Sequence, residues 1–181
     1  RWFRETPYAA YLARQYLHSN LLERLTTPPF LVRCEKLWIA FQLISALRQC
    51  HEAGVVHGDI KGENVLLTSS LWLFLSDLGN FKPASLPQDD PADFSYFFDS
   101  SGTRRSCYLA PERLHQRHTS ASSRSTGLEP PMDVFSTGCV LIELFLESGA
   151  PFDLPRLLRY VRGEDARLES LLSRVEPPPL A

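Results

Sequence analysis

Nothing in the 181-residue chain ties it to a membrane span, a metal cage or a polyanion. Its four cysteines, Cys34, Cys50, Cys107 and Cys139, lie far apart and no C-x-x-C occurs. That spacing argues against a zinc knuckle or a disulfide scaffold and fits reduced thiols in an intracellular protein. No apolar run reaches the ~18 residues a membrane-spanning helix needs. The first residue is Arg1, and the opening residues lack the basic-then-apolar layout of a signal peptide. Neither sign of charge dominates: 19 Lys and Arg stand against 21 Asp and Glu, a formal net charge of -2. Such a surface offers no basic field, and no nucleic-acid partner is expected.

What is present is a globular composition, 44% hydrophobic and 22% charged, long enough for one sizeable core. Residues 8–17, YAAYLARQYL, mix aromatic and aliphatic residues and predict a short buried strand. SNLLERL follows, with Ser19 or Asn20 as the N-cap of a helix and Glu23 in its first turn. Between Cys34 and Ala53, Leu37, Phe41, Ile44 and Leu47 recur at helical spacing, and Trp38, Ile39 and Leu43 widen the stripe. The pattern predicts a helix buried on most sides and closed by Gly54. NVLL and LWLFL read as two short buried strands joined by a tight turn. Residues 82–105 read as a long loop, and HTSASSRSTG, residues 118–127, as a low-complexity insertion. Helices are predicted again over MDVFSTGCVLIELFLES and LPRLLRYVRG.

One stretch carries chemistry: VVHGDIKGENVLL, residues 55–67. Transferring a phosphoryl group asks for a carboxylate to orient the attacking hydroxyl, a cation against the phosphate and oxygen ligands for Mg²⁺. Asp59 suits the first task, Lys61 the second, and Asn64 offers a neutral oxygen to the metal. Further on, Asp77 opens D-L-G, and the strand pair between returns it beside Asn64 as a second metal ligand. C-Y-L-A-P-E ends at Glu112, and D-V-F-S-T-G begins at Asp133, an aspartate expected to hold the catalytic-loop backbone. Each piece is weak alone, but their order matches the protein-kinase signature set. Small-molecule phosphotransferases share H-G-D-x-x-x-x-N but lack the Lys61 equivalent, the A-P-E and the D-x-x-S-x-G helix, which leaves them a remote alternative.

HGDIKGENVLLTSSLWLFLSD, FKPASLPQDDPADFSYFFDSS and RRSCYLAPER together resemble the protein-kinase-like regulatory subunit of the class III phosphatidylinositol 3-kinase complex. LPQDDPADFSYFFD is the most specific of these stretches, and the likeness runs from about Ala9 to Arg162. The resemblance implies an α+β, protein-kinase-like fold: mainly the helical large lobe, with a remnant small-lobe strand and hinge. Residues 1–18 are then the remnant and 19–181 the large lobe, with an activation segment at 77–112 and an insertion at about 116–129. It further implies ATP (or another purine nucleotide) and Mg²⁺ as cofactors, with the main chain of Gln15 and Leu17 meeting the purine. The implied partners are the phosphatidylinositol 3-kinase catalytic subunit and the other subunits of its complex. The implied setting is cytoplasmic, peripheral on endosomal and autophagic membranes, in vacuolar sorting and autophagy.

The chain also departs from the kinase pattern. Gly58 replaces the arginine of H-R-D, which in regulated kinases pairs with a phosphorylated activation loop. Arg105 stands where Ser/Thr kinases keep a threonine, and Arg14 borders the expected nucleotide pocket. No Gly-rich loop, V-A-I-K lysine or small-lobe helix glutamate is found, and the chain is expected to be a fragment. Alone it is expected to bind nucleotide weakly and transfer phosphate poorly. The alternative for the parent protein is a catalytically silent kinase-fold binding module.

Overall fold

The computed structural model describes residues 2–78, 84, 107–114, 127–146, 149–164 and 167–174. Trp2–Glu5 (β1) and Ala10–Ala13 (β2) form an antiparallel hairpin closed by Thr6, whose hydroxyl and amide both bond Ala9. Every residue of both strands is exposed. The expected buried strand is therefore corrected to an exposed hairpin. No described element packs broadly against it.

Ser19–Asn20 (β3) leads directly into Leu21–Thr26 (α1). Asn20 Oδ1 accepts from the Glu23 amide at 2.8 Å, and the Glu23 carboxylate accepts from the Asn20 amide at 3.4 Å. This reciprocal cap is worth about 1 kcal/mol and fixes where the helix starts. The fully buried Leu21 anchors α1 in the core.

Arg33–Glu52 (α2) is the expected long helix, but its buried face is Lys36, Ile39, Ala40, Leu43 and Leu47. Leu37, Trp38, Phe41 and Ile44 are exposed, so burial on most sides is corrected to burial on one. Two apolar stripes of equal period run along this helix, and the one facing Pro130–Leu146 (α3) enters the core. The other forms an aromatic patch, with Trp38 stacked on Phe41 at 5.8 Å and edge-on to Trp72 at 5.5 Å.

Val65–Leu67 (β4) and Leu73–Leu75 (β5) pair antiparallel, and β3 adds on the far side of β4. Only β4 is well buried; β5 is half-exposed because it forms the sheet edge. Gln42 of α2 fixes the turn between them, donating to the Leu71 carbonyl at 2.8 Å and accepting from the Leu73 amide at 3.1 Å. Pro130 and Pro131 open α3, where a helix needs no amide donors. Leu154–Val161 (α4) is capped by Asp153, whose carboxylate accepts from the Arg156 amide at 2.8 Å. Arg167–Leu172 (α5) has no counterpart in the sequence reading.

The architecture is α+β, as expected. Most of residues 82–105 and of the serine-rich stretch, with Arg105 among them, lie outside the described residues. No described helix is long and apolar enough to cross a membrane.

Candidate active site

The loop from Val55 to Asn64 runs between the end of α2 and the start of β4, over the buried flank of α3. Asp133, fully buried on α3, is its hub. Its Oδ2 accepts from the His57 amide at 2.8 Å and its Oδ1 from the Gly58 amide at 2.7 Å. His51 Nε2, from the last turn of α2, lies 3.0 Å from Oδ2. A buried carboxylate is tolerated only when its lone pairs are filled in this way. The expected aspartate-to-loop bond is thus present, with His51 as an additional partner.

His57 is also fully buried and ties the loop to the D-L-G segment. Its Nε2 faces the Ser76 carbonyl at 2.8 Å, while its Nδ1 accepts from the Asp59 amide at 3.2 Å. A ring nitrogen facing a carbonyl must carry the proton, so this pair of bonds selects the Nε2–H tautomer. One imidazole therefore sets the spacing between Asp59 and the strand end that leads to Asp77.

The reactive side chains gather above these supports. Lys61 Nζ sits 3.1 Å from Asp59 Oδ2, and the Asn64 amide donates to the same oxygen at 3.1 Å and to the Asp59 carbonyl at 2.8 Å. Asn64 itself is buried at the end of a 3₁₀ turn, Gly62–Asn64. Gly62 lets that turn approach α1, since a Cβ there would lie 3.3 Å from Leu22 Cβ. The Ser76 amide and hydroxyl both donate to the Asn64 carbonyl, at 2.9 and 3.0 Å. Asp77 follows Ser76 directly, exposed and with φ of +62°, so it is delivered beside Asn64. Asp59, Lys61 and Asn64 thus converge, and the chain reaches Asp77 one residue beyond the Ser76–Asn64 bonds. Gln15 and Leu17 lie on the connection from β2 to β3, exposed and half-buried respectively.

The floor of the site comes from the A-P-E segment. The Tyr108 hydroxyl donates to Glu143 Oε2 at 2.7 Å, and the Ser136 hydroxyl donates to the Tyr108 carbonyl at 2.6 Å. Both bonds fasten the segment to α3. Glu112 is exposed, so it needs no buried cation beside it. Arg113, in the 3₁₀ turn Pro111–Leu114, is 1% exposed and donates from Nη1 to the Gly58 carbonyl at 2.6 Å. Burial pushes its pKa down, and the charges of Asp59 and Asp133 push it back up. A cavity of about 10 Å³, room for about one water, is lined by Gly58, Asp59, Lys61, Tyr108, Arg113 and Ser136.

Arg113 and His51 were not found by sequence reasoning. A faint signal existed for Arg113: an arginine directly after A-P-E in a chain that lacks one at position 58.

Residues 2–158 match the protein kinase domain family. The chain belongs to the protein kinase family. Within that family it is 53% identical over 165 residues to "Serine/threonine-protein kinase VPS15" of Arabidopsis thaliana, which covers 91% of this chain and 11% of the relative. A "Probable serine/threonine-protein kinase vps15" of Dictyostelium discoideum is 51% identical over 176 residues, covering 97% of the chain and 9% of the relative. The VPS15 kinase of Saccharomyces cerevisiae is 46% identical over 158 residues, 86% of the chain and 11% of the relative. The chain thus spans about a tenth of the length of the curated relatives it matches. The kinase resemblance and the kinase-like α+β fold expected from the motifs both stand.

ATP and Mg²⁺ are used by protein kinase domains in general, and the residues present here fit them. Among the described residues no group of three or more His, Cys, Asp or Glu could cage a metal. Mg²⁺ in phosphoryl transfer does not need one, because it takes one or two protein oxygens and completes its shell with phosphate and water. The Asn64 amide nitrogen is engaged by Asp59, which turns its oxygen to the side away from that bond, and Asp77, just past the Ser76–Asn64 bonds, is an exposed carboxylate.

Proposed function

We propose that this chain is the large-lobe portion of a VPS15-type serine/threonine protein kinase that transfers the γ-phosphoryl group of Mg·ATP to a protein hydroxyl. The observation that carries the reading is the Asp59–Lys61–Asn64 cluster, with Lys61 Nζ at 3.1 Å and Asn64 Nδ2 at 3.1 Å from one carboxylate oxygen. Bound Mg·ATP supplies the transferable group and the metal that shields its charge. Asp59 orients the substrate hydroxyl and takes its proton as the oxygen–phosphorus bond forms and ADP leaves. Lys61 holds positive charge against the transferring phosphate. Asn64 and Asp77 hold the metal, and the main chain of Gln15 and Leu17 meets the purine edge. The likeness to VPS15 kinases supports a wider setting. The whole protein acts as the kinase-like regulatory subunit of a phosphatidylinositol 3-kinase complex, bound to its catalytic subunit on endosomal and autophagic membranes.

Asp59→Asn in the full-length protein tests the reading with labelled ATP. Loss of a positioned base lowers transfer by about 10²–10⁴-fold, with Mg·ATP still bound. Equal transfer by the variant overturns the assigned role. A full-length protein that transfers nothing, yet still supports the lipid kinase, is a silent binding module. Gly58 in place of the H-R-D arginine, together with Arg105 and Arg14, favours that second reading.

A further inference from the structure

Gly58, the residue directly before Asp59, is held through its amide and its carbonyl by buried charges of opposite sign. Asp133 Oδ1 accepts from the Gly58 amide at 2.7 Å, and Arg113 Nη1 donates to the Gly58 carbonyl at 2.6 Å. That carbonyl belongs to the peptide bond from which Asp59 emerges, so its orientation sets the direction of the Asp59 side chain. A side chain at position 58 itself is disfavoured. Gly58 has φ of +75°, and a Cβ there would lie 2.4 Å from Leu128 Cδ1. Leu128 occupies the space where an H-R-D side chain would begin.

Arg113 approaches the same peptide from the other side. It is 1% exposed, reaches in from the turn after A-P-E, and lines a water-sized cavity shared with Asp59 and Lys61. A buried guanidinium is costly to desolvate and persists where hydrogen bonds and opposite charge compensate it. Here Asp59 and Asp133 supply that charge, and the Gly58 carbonyl accepts the bond.

We propose that Arg113 is a positioning residue for phosphotransfer: it supplies from the A-P-E turn the fixed cation missing at position 58, and holds the Gly58–Asp59 peptide in its working orientation. The proposal rests on the phosphotransfer reading above. It places the organising cation inside the fold, where no loop phosphate has to recruit it. In an H-R-D kinase the corresponding arginine is available to a phosphate; Arg113, at 1% exposure, is not.

The test uses full-length protein carrying Arg113→Met, an apolar chain of similar length, or Arg113→Lys, which keeps the charge. Two readouts are taken: amide hydrogen exchange over residues 56–61, and phosphotransfer with kcat and KM for ATP separated. In Arg113→Met, exchange over 56–61 rises at least tenfold while α2 and α3 keep their protection. Its kcat falls by about 10²-fold, the size of losing one fixed donor at a reacting centre, and KM stays within about threefold. Arg113→Lys recovers most of both losses. Unchanged exchange over 56–61 in Arg113→Met overturns the proposal. So does equal loss of protection across α2 and α3 in both variants, which marks a general structural role. If wild-type protein transfers no phosphate, the enzyme reading fails, and the exchange contrast still decides whether Arg113 holds the loop.

Discussion

Writing the missing arginine back into the loop should damage it. The smallest version of the experiment is Gly58→Ala, which isolates the first carbon of any side chain. At φ of +75° a Cβ costs about 1–2 kcal/mol in a non-glycine residue. That carbon also falls 2.4 Å from Leu128 Cδ1, far inside contact distance. Leu128 is half-buried and its end can turn aside, so relief adds about 1–3 kcal/mol, the usual range for overpacking. The sum is about 2–5 kcal/mol, and at 1.4 kcal/mol per decade it loosens the loop by roughly 30- to 3,000-fold. The assay is amide exchange in full-length protein at His57 and Gly58, whose N–H groups both end on Asp133. Leu128→Ala in the same background removes the collision and leaves the backbone strain, so the excess should shrink to about 1–2 kcal/mol. Gly58→Arg should be no better than Gly58→Ala. Exchange in Gly58→Ala within about threefold of wild type, the scatter of an inconsequential surface change, would refute both the strain and the collision.

The two faces of α2 should respond differently to substitution. Leu43→Ala, at a fully buried position, destabilises by about 2–5 kcal/mol, whereas Phe41→Ser, at 62% exposure, stays within about 0.5 kcal/mol; denaturant-dependent exchange of α2 amides compares them. The four cysteines are free and should alkylate in order of exposure and acidity. Burial raises the Cys107 thiol to about 12 and pushes Cys139 higher still, so both remain protonated and inert at neutral pH. Mass spectrometry after iodoacetamide treatment at pH 7.5 should find label first on exposed Cys34, and on Cys107 and Cys139 only after denaturation.

The chemistry was legible because it is local. Asp59, Lys61 and Asn64 lie within six residues of one another, and the short span to Asp77 admits little besides a strand pair. What was not legible depends on which surface meets which. Periodicity gave one broad stripe on α2 led by Leu37, Phe41, Ile44 and Leu47, of which only Leu47 is buried. Choosing correctly required knowing that Ile39, Leu43 and Leu47 meet α3. The strand expected within residues 8–17 was misjudged for the same reason: aromatic and aliphatic content favours a strand, and burial needs something to cover it.

Gly58 shows how the two kinds of information join. In the sequence it is an absence, a loop without its arginine. In the fold it is favoured, because the left-handed backbone and the nearby Leu128 penalise any side chain there. The carbonyl and amide of that residue then become the grips by which Arg113 and Asp133 hold the loop. Both grips are buried and both come from outside the loop, one from the A-P-E turn and one from α3. Losing a side chain at position 58 therefore removes a reader of loop phosphate and leaves the alignment of Asp59 to forces already inside the lobe. Among the described residues the bonds that orient Asp59 are made within this chain, so weak catalysis by it, should it be measured, points first to nucleotide binding.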